Sequence, residues 1–349
     1  MSQKNHPNES GIIYLEDLIK NIEYKYQDRF YIGLNPTFKK ELYKNLIKAA
    51  GTIRKLSKET NVSFTRLWDQ LTRVPISIEV LSKISKYLIK NGYEKYNLSN
   101  IEKNIEYIKS SGSTSQKLYY PKFPINLKTK EGMRLISHIY HDGGIGKSRQ
   151  PKYTNQSLKE VQEFLEDAKK LFGRFNSNII KDINIRSKKE YYIINLPTVV
   201  GNILISTGYK EGDKTKDNPE VFEFLKKIED KELIQEFLAK AFNDDGFVGT
   251  RSIGLGQASL IKKEEKPSNV LILNKLFLEK LGIKTFGPRL VERYKNRYGI
   301  VTKFNITVCS KENIQKFYDN IRLIDHKNKK IENYLVNWGL RSYKRGIYI

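Results

Sequence analysis

Between residues 38 and 93, apolar positions recur at intervals of three and four, the spacing of one face of a helix. In residues 38–50, for example, Leu42, Leu46 and Ala50 form one such stripe. The pattern predicts helices over residues 38–50, 52–60, 63–71 and 78–91. We therefore expect a small, all-α N-terminal domain.

The second and third of these helices have the pattern of a helix-turn-helix. Asn61 between them tolerates left-handed backbone, and Ser63 can cap the helix that follows. Thr65 and Arg66 then lie on the outer face of that helix, as in a major-groove reader, whereas Trp68 is expected to anchor the core. A three-helix bundle without a DNA-binding role has the same pattern, so both interpretations stay open.

A polar segment divides the chain. Residues 110–117 are small and polar without periodicity, which is typical of a linker. The chain of 349 residues is long enough for two or three domains. We place the boundary in this segment, giving an N-terminal domain over residues 1–117 and a second domain over residues 118–349.

Beyond this boundary the predicted elements repeat. Residues 126–228 and 230–330 each have the order helix, strands, helix, strands, helix. Predicted helices span residues 158–172, 199–206, 269–281 and 311–321, and predicted strands span residues 179–186, 191–196, 247–250, 252–258, 289–294 and 303–308. Their alternating apolar and polar positions suit antiparallel sheets with one polar face. The second domain is therefore predicted to be a pseudo-twofold pair of α+β units.

Each predicted unit opens with an apolar helix that ends in the same way. Asp142-Gly143 closes the first helix and Asp245-Gly246 closes the second. Two carboxylates at equivalent helix ends suit a divalent-metal phosphodiesterase, because Mg²⁺ binds one or two carboxylates together with phosphate oxygens. The glycines can take positive φ, end the helices and let DNA approach the backbone. The alternative is that Asp-Gly only marks a helix stop.

The charge of the chain favours an anionic partner. The formal net charge is +24 and the isoelectric point is about 9.7. Such a charge costs self-repulsion unless a partner neutralises it, and nucleic acid is the first candidate. An A/T-biased genome, which favours lysine codons, is the alternative source of the charge.

The sequence argues against secretion and membrane insertion. Cys309 is the single cysteine and lies in an apolar stretch, so a disulfide or a cysteine zinc site within the chain is excluded. The first residues lack the apolar core of a signal peptide, and no run of about 18 apolar residues occurs. We expect a cytoplasmic, nucleoid-associated protein without a membrane partner.

Residues 232–248, and more weakly residues 133–143, resemble the motif of the LAGLIDADG homing endonucleases. Residues 208–221 are similar to the connector that precedes the second motif in archaeal members. The resemblance covers about residues 126–330. It implies two αββαββα-like units with saddle-shaped antiparallel sheets, whose motif helices pack side by side and bring their terminal acids to the middle of a DNA groove.

The resemblance also implies roles for individual residues. Asp142 and Asp245, with the glycines that follow them, would hold Mg²⁺ or Mn²⁺ against the scissile phosphates, whereas Asp244 is only a neighbour. Family members use a basic residue near each metal, which implies Lys303 in the second unit and Lys189 or Lys188 in the first as catalytic candidates. The motif helices carry bulkier residues here than is usual, which favours either a coarser seam or a degenerate, non-cutting relative.

Basic residues on loops and polar strand faces are candidates for contacts to duplex DNA. Singly, each is equally explained as a solvated strand face. Together with the two residues of the helix-turn-helix, they suit a groove for the double helix. The candidates are Thr65, Arg66, Lys147, Arg149, Lys152, Arg186, Lys188, Arg251, Arg289, Arg293 and Arg297.

Three functions follow from the resemblance. The first is a site-specific, metal-dependent, intron-associated DNA endonuclease, monomeric because one chain carries both motifs. The second is a non-catalytic DNA-binding regulator, although regulators of this kind tend to lose the motif acids and both are kept here. The third is a splicing helper that binds intron RNA.

Overall fold

Three α+β regions follow one another in the computed structural model, which describes residues 7–20, 30–111, 116–185, 188–260, 265–296 and 299–337. The α+β class predicted from the sequence is thereby confirmed. Within these ranges, every helix is too short or too polar to cross a bilayer.

The N-terminal region mixes helices with a four-stranded sheet, so the prediction of an all-α domain is wrong. The sheet order is β3-β2-β4-β5, and its central pair joins residues far apart in sequence, such as Ile32 with Ile108. Only the fold brings such strands together, which is why helical periodicity alone missed them. The elements are α1 (Pro7–Ser10), β1 (Ile12–Ile13), α2 (Asp17–Lys20), β2 (Phe30–Leu34), α3 (Pro36–Ala50), α4 (Ile53–Thr60), α5 (Phe64–Thr72), β3 (Ile76–Ser77), α6 (Ile78–Lys90), α7 (Leu98–Glu102), β4 (Ile105–Ser110) and β5 (Lys117–Tyr119).

Helices α4 and α5 are joined where the sequence predicts a turn. Asn61 has φ 49° and ψ 49°, the left-handed conformation expected of it. Ser63 precedes α5, but its side chain makes no capping hydrogen bond. The helix pair is therefore present, while its use in DNA binding stays a prediction.

The segment predicted as a linker joins two neighbouring strands. Lys109 on β4 pairs with Lys117 on β5, so both described ends of this segment belong to paired strands, while residues 112–115 lie outside the described residues. The same region reaches the next one, because Tyr119 bridges to Arg174 and β1 pairs with β6 through Ile13 and Ile125. The division of the chain at residue 117 stays a prediction.

The first repeat unit contains a sheet of order β7-β8-β10-β9. Strand β8 begins within residues 147–152, which are predicted from the sequence to be a basic stretch without a strand. The elements are β6 (Ile125–Asn126), α8 (Lys130–Tyr140), β7 (Gly144–Ile145), β8 (Pro151–Asn155), α9 (Leu158–Phe172), β9 (Ile180–Ile183), β10 (Glu190–Asn195), α10 (Thr198–Ser206), α11 (Lys214–Asp217) and α12 (Glu223–Lys226).

The second unit contains a sheet of order β11-β12-β14-β13, which matches the first position by position. A twofold axis between the units and a saddle shape of the sheets stay predictions. The elements are α13 (Lys231–Asp244), β11 (Gly246–Val248), β12 (Ile253–Leu260), α14 (Asn269–Lys280), β13 (Phe286–Asn296), β14 (Gly299–Val308), α15 (Lys311–Asn320) and α16 (Asp325–Val336).

Helices α8 and α13 pack against each other and connect the two units. The buried Ser137 hydroxyl of α8 donates to the Phe237 carbonyl oxygen of α13 at 2.7 Å. The bulky polar residues of α13 point elsewhere: Lys240 reaches Glu160 of α9, and Asn243 accepts from the backbone amide of Ile324. Lys240 and Asn243 of α13 thus bond to neighbouring elements rather than to α8.

Candidate active site

The two predicted metal-binding aspartates stand at the C-terminal ends of α8 and α13. Asp142 follows His141, the C-cap of α8, and Asp245 is the C-cap of α13. Asn155 Nδ2 lies 3.2 Å from a carboxylate oxygen of Asp142 and 3.2 Å from one of Asp244, which places Asp142 beside the end of α13. The structure therefore brings the two acids together, while their role as metal ligands stays a prediction.

Glycine is required after each aspartate for a different reason from the one expected. Gly143 and Gly246 are absent from the glycines with positive φ, so the expectation of left-handed helix ends is wrong. A Cβ at Gly143 would lie 2.8 Å from the His138 carbonyl oxygen, and a Cβ at Gly246 would lie 2.5 Å from that of Phe242. Close approach of backbone selects glycine at both helix ends.

Strand register reveals an amide side chain beside each acid that the sequence did not single out. Gly144 pairs with Lys152, and Phe247 pairs with Gly254, so Asn155 and Gln257 occupy equivalent positions three residues further on. Asn155 Nδ2 donates to Asp142 Oδ2 at 3.2 Å. Gln257 Nε2 donates to Asp245 Oδ2 at 3.4 Å, while its own oxygen accepts from Ser268. Both amides orient a carboxylate.

Asp244 is a centre of hydrogen bonding rather than a mere neighbour. Its buried carboxylate lies 2.8 Å from His138 Nδ1 and accepts from the Tyr153 hydroxyl at 2.7 Å and from Asn155 Nδ2 at 3.2 Å. All three partners come from the first unit. Asn155 thus bridges Asp244 and Asp142 and ties the end of α13 to the first acid.

The two histidines of α8 form hydrogen bonds at the helix seam. Burial lowers the pKa of His138 to about 3, with Lys240 adding to the effect, so a neutral ring donates to Asp244. His141 Nδ1 lies 2.7 Å from the Ser137 carbonyl oxygen, and its Nε2 lies 3.1 Å from Asn274 of α14. Each ring therefore bonds to a residue of the second unit.

Desolvation and mutual repulsion disfavour the ionised forms of Asp142 and Asp244. Desolvation, followed by the charges of Asp244 and Asp245, raises the pKa of Asp142 to about 7. Burial raises the pKa of Asp244 to about 7, although the hydrogen bond from Tyr153 opposes the shift. A cation in the cluster would relieve this repulsion.

Two lysines that the sequence did not flag act on the same acids. Lys214 of α11 donates to the His141 carbonyl oxygen. Lys327 of α16 donates to carbonyl oxygens of Phe242, Asn243 and Gly246 at 2.6–2.8 Å, a favourable place for a cation at the end of α13. Burial lowers the pKa of both lysines, and Asp142, Asp244 and Asp245 oppose that shift.

A separate cavity opens beside each acid. Asp245 and Lys303 line one of about 270 Å³, and Asp142 and Lys152 line another of about 380 Å³. Lys214 lines both cavities. Lys303, predicted as a catalytic cation, therefore lines the same cavity as Asp245.

The first unit lacks a lysine equivalent to Lys303. Gln257 pairs with Phe304, and Asn155 pairs with Tyr192, so Tyr191 takes the equivalent position. By strand register Lys189 does not occupy that position, and its catalytic role stays a prediction. Lys188 and Lys189 are exposed between β9 and β10, outside the cavity of Asp142.

The predicted DNA-contacting residues fall into three groups. Arg66, Arg149 and Arg293 form ion pairs with Glu79, Glu211 and Glu265, at 2.8, 2.9 and 2.6 Å. Arg186 and Arg297 lie outside the described residues. The remaining candidates are exposed: Thr65, Lys147, Lys152, Lys188, Arg251 and Arg289.

The donor set fits an open magnesium site better than a closed protein cage. Among the described residues, His, Cys, Asp and Glu nowhere form a group of three that could hold a metal. Mg²⁺ needs no such cage, because it keeps waters and uses one or two carboxylates with phosphate oxygens. Asp142 and Asp245, each opening to a cavity, match that requirement.

Comparison with known proteins gives a weak structural likeness. No protein-family model and no curated protein matches the chain. The chain is similar to a solved structure described under "Structures and dynamics of mesophilic variants from the homing endonuclease I-DmoI", with 11% identity and a TM-score of 0.34. The match covers 56% of this chain and 97% of that one. At this TM-score the likeness carries no weight for function.

Proposed function

We propose that the protein is a site-specific DNA endonuclease that depends on a divalent metal and hydrolyses phosphodiester bonds in a long duplex target. The observation that carries the proposal is the pair Asp142 and Asp245 at the ends of adjacent helices, each beside its own cavity. Two phosphates, one from each strand, could be approached from such a pair. The net charge of +24 supplies attraction to the duplex.

Asp142 and Asp245 would hold Mg²⁺ or Mn²⁺, with Asn155 and Gln257 fixing the orientation of their carboxylates. When bound, the metal would activate water and stabilise the leaving oxygen of an in-line displacement. Lys303 places a cationic side chain in the cavity of Asp245, where it can stabilise charge on the phosphate. The chain carries both acids, so we propose that it acts as a monomer.

A non-catalytic, DNA-binding regulator is the second candidate, and one observation favours it. Lys214 and Lys327 already place two cations in the field of the three aspartates. If these lysines neutralise the cluster, the acids need no metal. Metal binding therefore separates the two candidates.

The test is cleavage of a duplex DNA library with Mg²⁺ or with EDTA, followed by mapping of the ends. Asp142→Asn and Asp245→Asn should each lower cleavage by at least about 100-fold while leaving DNA affinity within about threefold, because Lys and Arg make the phosphate contacts. Calorimetric titration with Mg²⁺ should show binding that both variants weaken.

Asp319→Asn is the matched control, since Asp319 is an exposed aspartate on α15. It should cleave as the wild type does. Cleavage in EDTA, or undiminished cleavage by the variant lacking both acids, would contradict the endonuclease proposal. DNA binding without any Mg²⁺ binding would favour the regulator.

A further inference from the structure

Helix α5 of the N-terminal region presents an exposed outer face. Phe64, Trp68 and Thr72 follow one another at intervals of four residues, and Thr65 lies beside them. All four are exposed. We refer to these four residues as the α5 outer face.

Two large aromatic side chains dominate this face. Phe64 is 45% exposed and Trp68 is 39% exposed, so the expectation that Trp68 anchors the core is wrong. Leu67 and Leu71 fill the core side of the helix instead. Exposed apolar side chains that cluster on one face mark an interaction surface.

Arg66 is not free to read bases from this helix. Its guanidinium donates to Glu79 at 2.8 Å and to the Ser77 hydroxyl at 3.0 Å, both beside the start of α6. Glu79 also pairs with Lys83 at 3.4 Å. The arginine therefore ties α5 to α6, and the outer face is left with aromatic rings and hydroxyl groups.

Positive charge lies on the preceding helix. Arg54, Lys55 and Lys58 of α4 are exposed, against the single exposed acid Glu59 on the same helix. A neighbouring helix that carries cations suits contact with phosphates and orients the following helix toward the bases. This charge favours a nucleic acid over an apolar protein segment as the occupant of the α5 outer face.

We propose that the α5 outer face binds thymine methyl groups in the major groove of duplex DNA, with Phe64 and Trp68 as the contacting residues. The C5 methyl of thymine is the apolar group that the major groove presents, and apolar side chains recognise it. This rests on the proposed function insofar as duplex DNA is the partner. The target would then include an A/T-rich segment that the N-terminal region contacts.

The experiment removes the methyl groups without changing base pairing. The full chain, in EDTA to prevent cleavage, selects duplexes from a random library, and the selected thymines are replaced by deoxyuracil. Each lost methyl contact should weaken wild-type binding about fourfold. Trp68→Ala should weaken binding to the thymine duplex about tenfold. The affinity of this variant should change little when thymine is replaced by deoxyuracil.

Ile272→Ala is the matched control, because Ile272 is an exposed apolar residue on α14. It should bind as the wild type does and keep the full response to deoxyuracil. Phe64→Ala provides a second, independent variant that should behave as Trp68→Ala does. Melting temperatures of all variants should stay close to that of the wild type, since both aromatic residues are exposed.

Several results would overturn the proposal. These are equal affinity for thymine and deoxyuracil duplexes, tighter binding of single strands than of duplexes, failure to select any duplex, or loss of a dimer rather than of DNA affinity in Trp68→Ala. Because binding is measured in EDTA, thymine-dependent binding without cleavage in Mg²⁺ would refute only the endonuclease. Cleavage that ignores the methyl groups would refute only the thymine contact.

Discussion

At the scale of single residues, Asp244 shows how position in space changes the meaning of a side chain. In the sequence it is the acid before a more obvious acid. In the structure its carboxylate is buried and contacts His138, Tyr153 and Asn155. It therefore orders the polar side chains on which the position of Asp142 depends.

Asp244 should make the stability of the metal-free chain depend on pH. Its pKa is raised from 3.8 to about 7, so between these values the folded chain keeps a proton that the unfolded chain has released. The free energy of unfolding should then fall as pH rises through this window, by up to about 1.4 kcal/mol per pH unit. Asp244→Asn should reduce that slope in urea unfolding with EDTA at pH values of about 5 and 7.

An asparagine at this position can still accept from Tyr153, and His138 can change its tautomer to accept from the new amide. The variant should therefore fold. A slope equal to that of the wild type would show that Asp244 is ionised throughout this range. Asp319→Asn, on the surface, should leave the slope unchanged.

At the scale of elements, capping residues made some boundaries predictable and long-range pairing made others unpredictable. The predicted helix over residues 158–172 coincides with α9, because Ser157 caps its start and Gly173, with φ 125°, ends it. Strand β8 was missed because its stretch opens with a proline and lysine, Pro151 and Lys152, and its residues pair with distant β10. Capping signals, which act within one helical turn, can be read from the sequence. The partner of a strand cannot, because it lies far away along the chain.

The contact between α13 and α9 depends on a buried ion pair. Lys240 donates to Glu160 at 2.9 Å and to Glu163 at 2.7 Å. Although burial opposes it, both glutamates raise the pKa of Lys240. Lys240→Met should cost about 3–5 kcal/mol in the free energy of unfolding, because Glu160 is left buried without its cation.

The control for this prediction also removes the charge of Glu160, which the single variant leaves without a cation. Lys240→Met combined with Glu160→Gln should recover a large part of the lost stability in chemical unfolding. A loss below about 1 kcal/mol in the single variant would mean that water reaches the carboxylates and that the pair is not structurally important.

At the scale of the whole molecule, the N-terminal residues contact elements of the first repeat unit directly. Ile13 pairs with Ile125, Asn8 accepts from the backbone amide of Glu223, and Asn202 donates to Ser110 at 2.8 Å. The buried side chains Ile13, Leu15 and Leu18 belong to the same hydrophobic core as the later regions. Without the N-terminal residues, residues 118–349 would lose these contacts, and no other part of their own sequence would replace them.

Residues 118–349 expressed alone should be less stable than the full chain. Each buried aliphatic side chain contributes about 1.5–3 kcal/mol, so the loss of three amounts to several kcal/mol. Thermal unfolding of the fragment should occur at a lower temperature, and addition of residues 1–117 in trans should restore part of the loss. Equal melting temperatures would show that the regions fold independently.

The sequence by itself determined helices such as α9 and α14 and the two Asp-Gly corners, because caps, glycines and apolar periodicity act over a few residues. It also set the net charge, which is a sum and needs no geometry. Only the tertiary structure decided that Asn155 and Gln257 face the acids, that Lys214 joins them, and that Lys189 does not. Those relations depend on strand register and on helix packing, which join residues far apart in the chain.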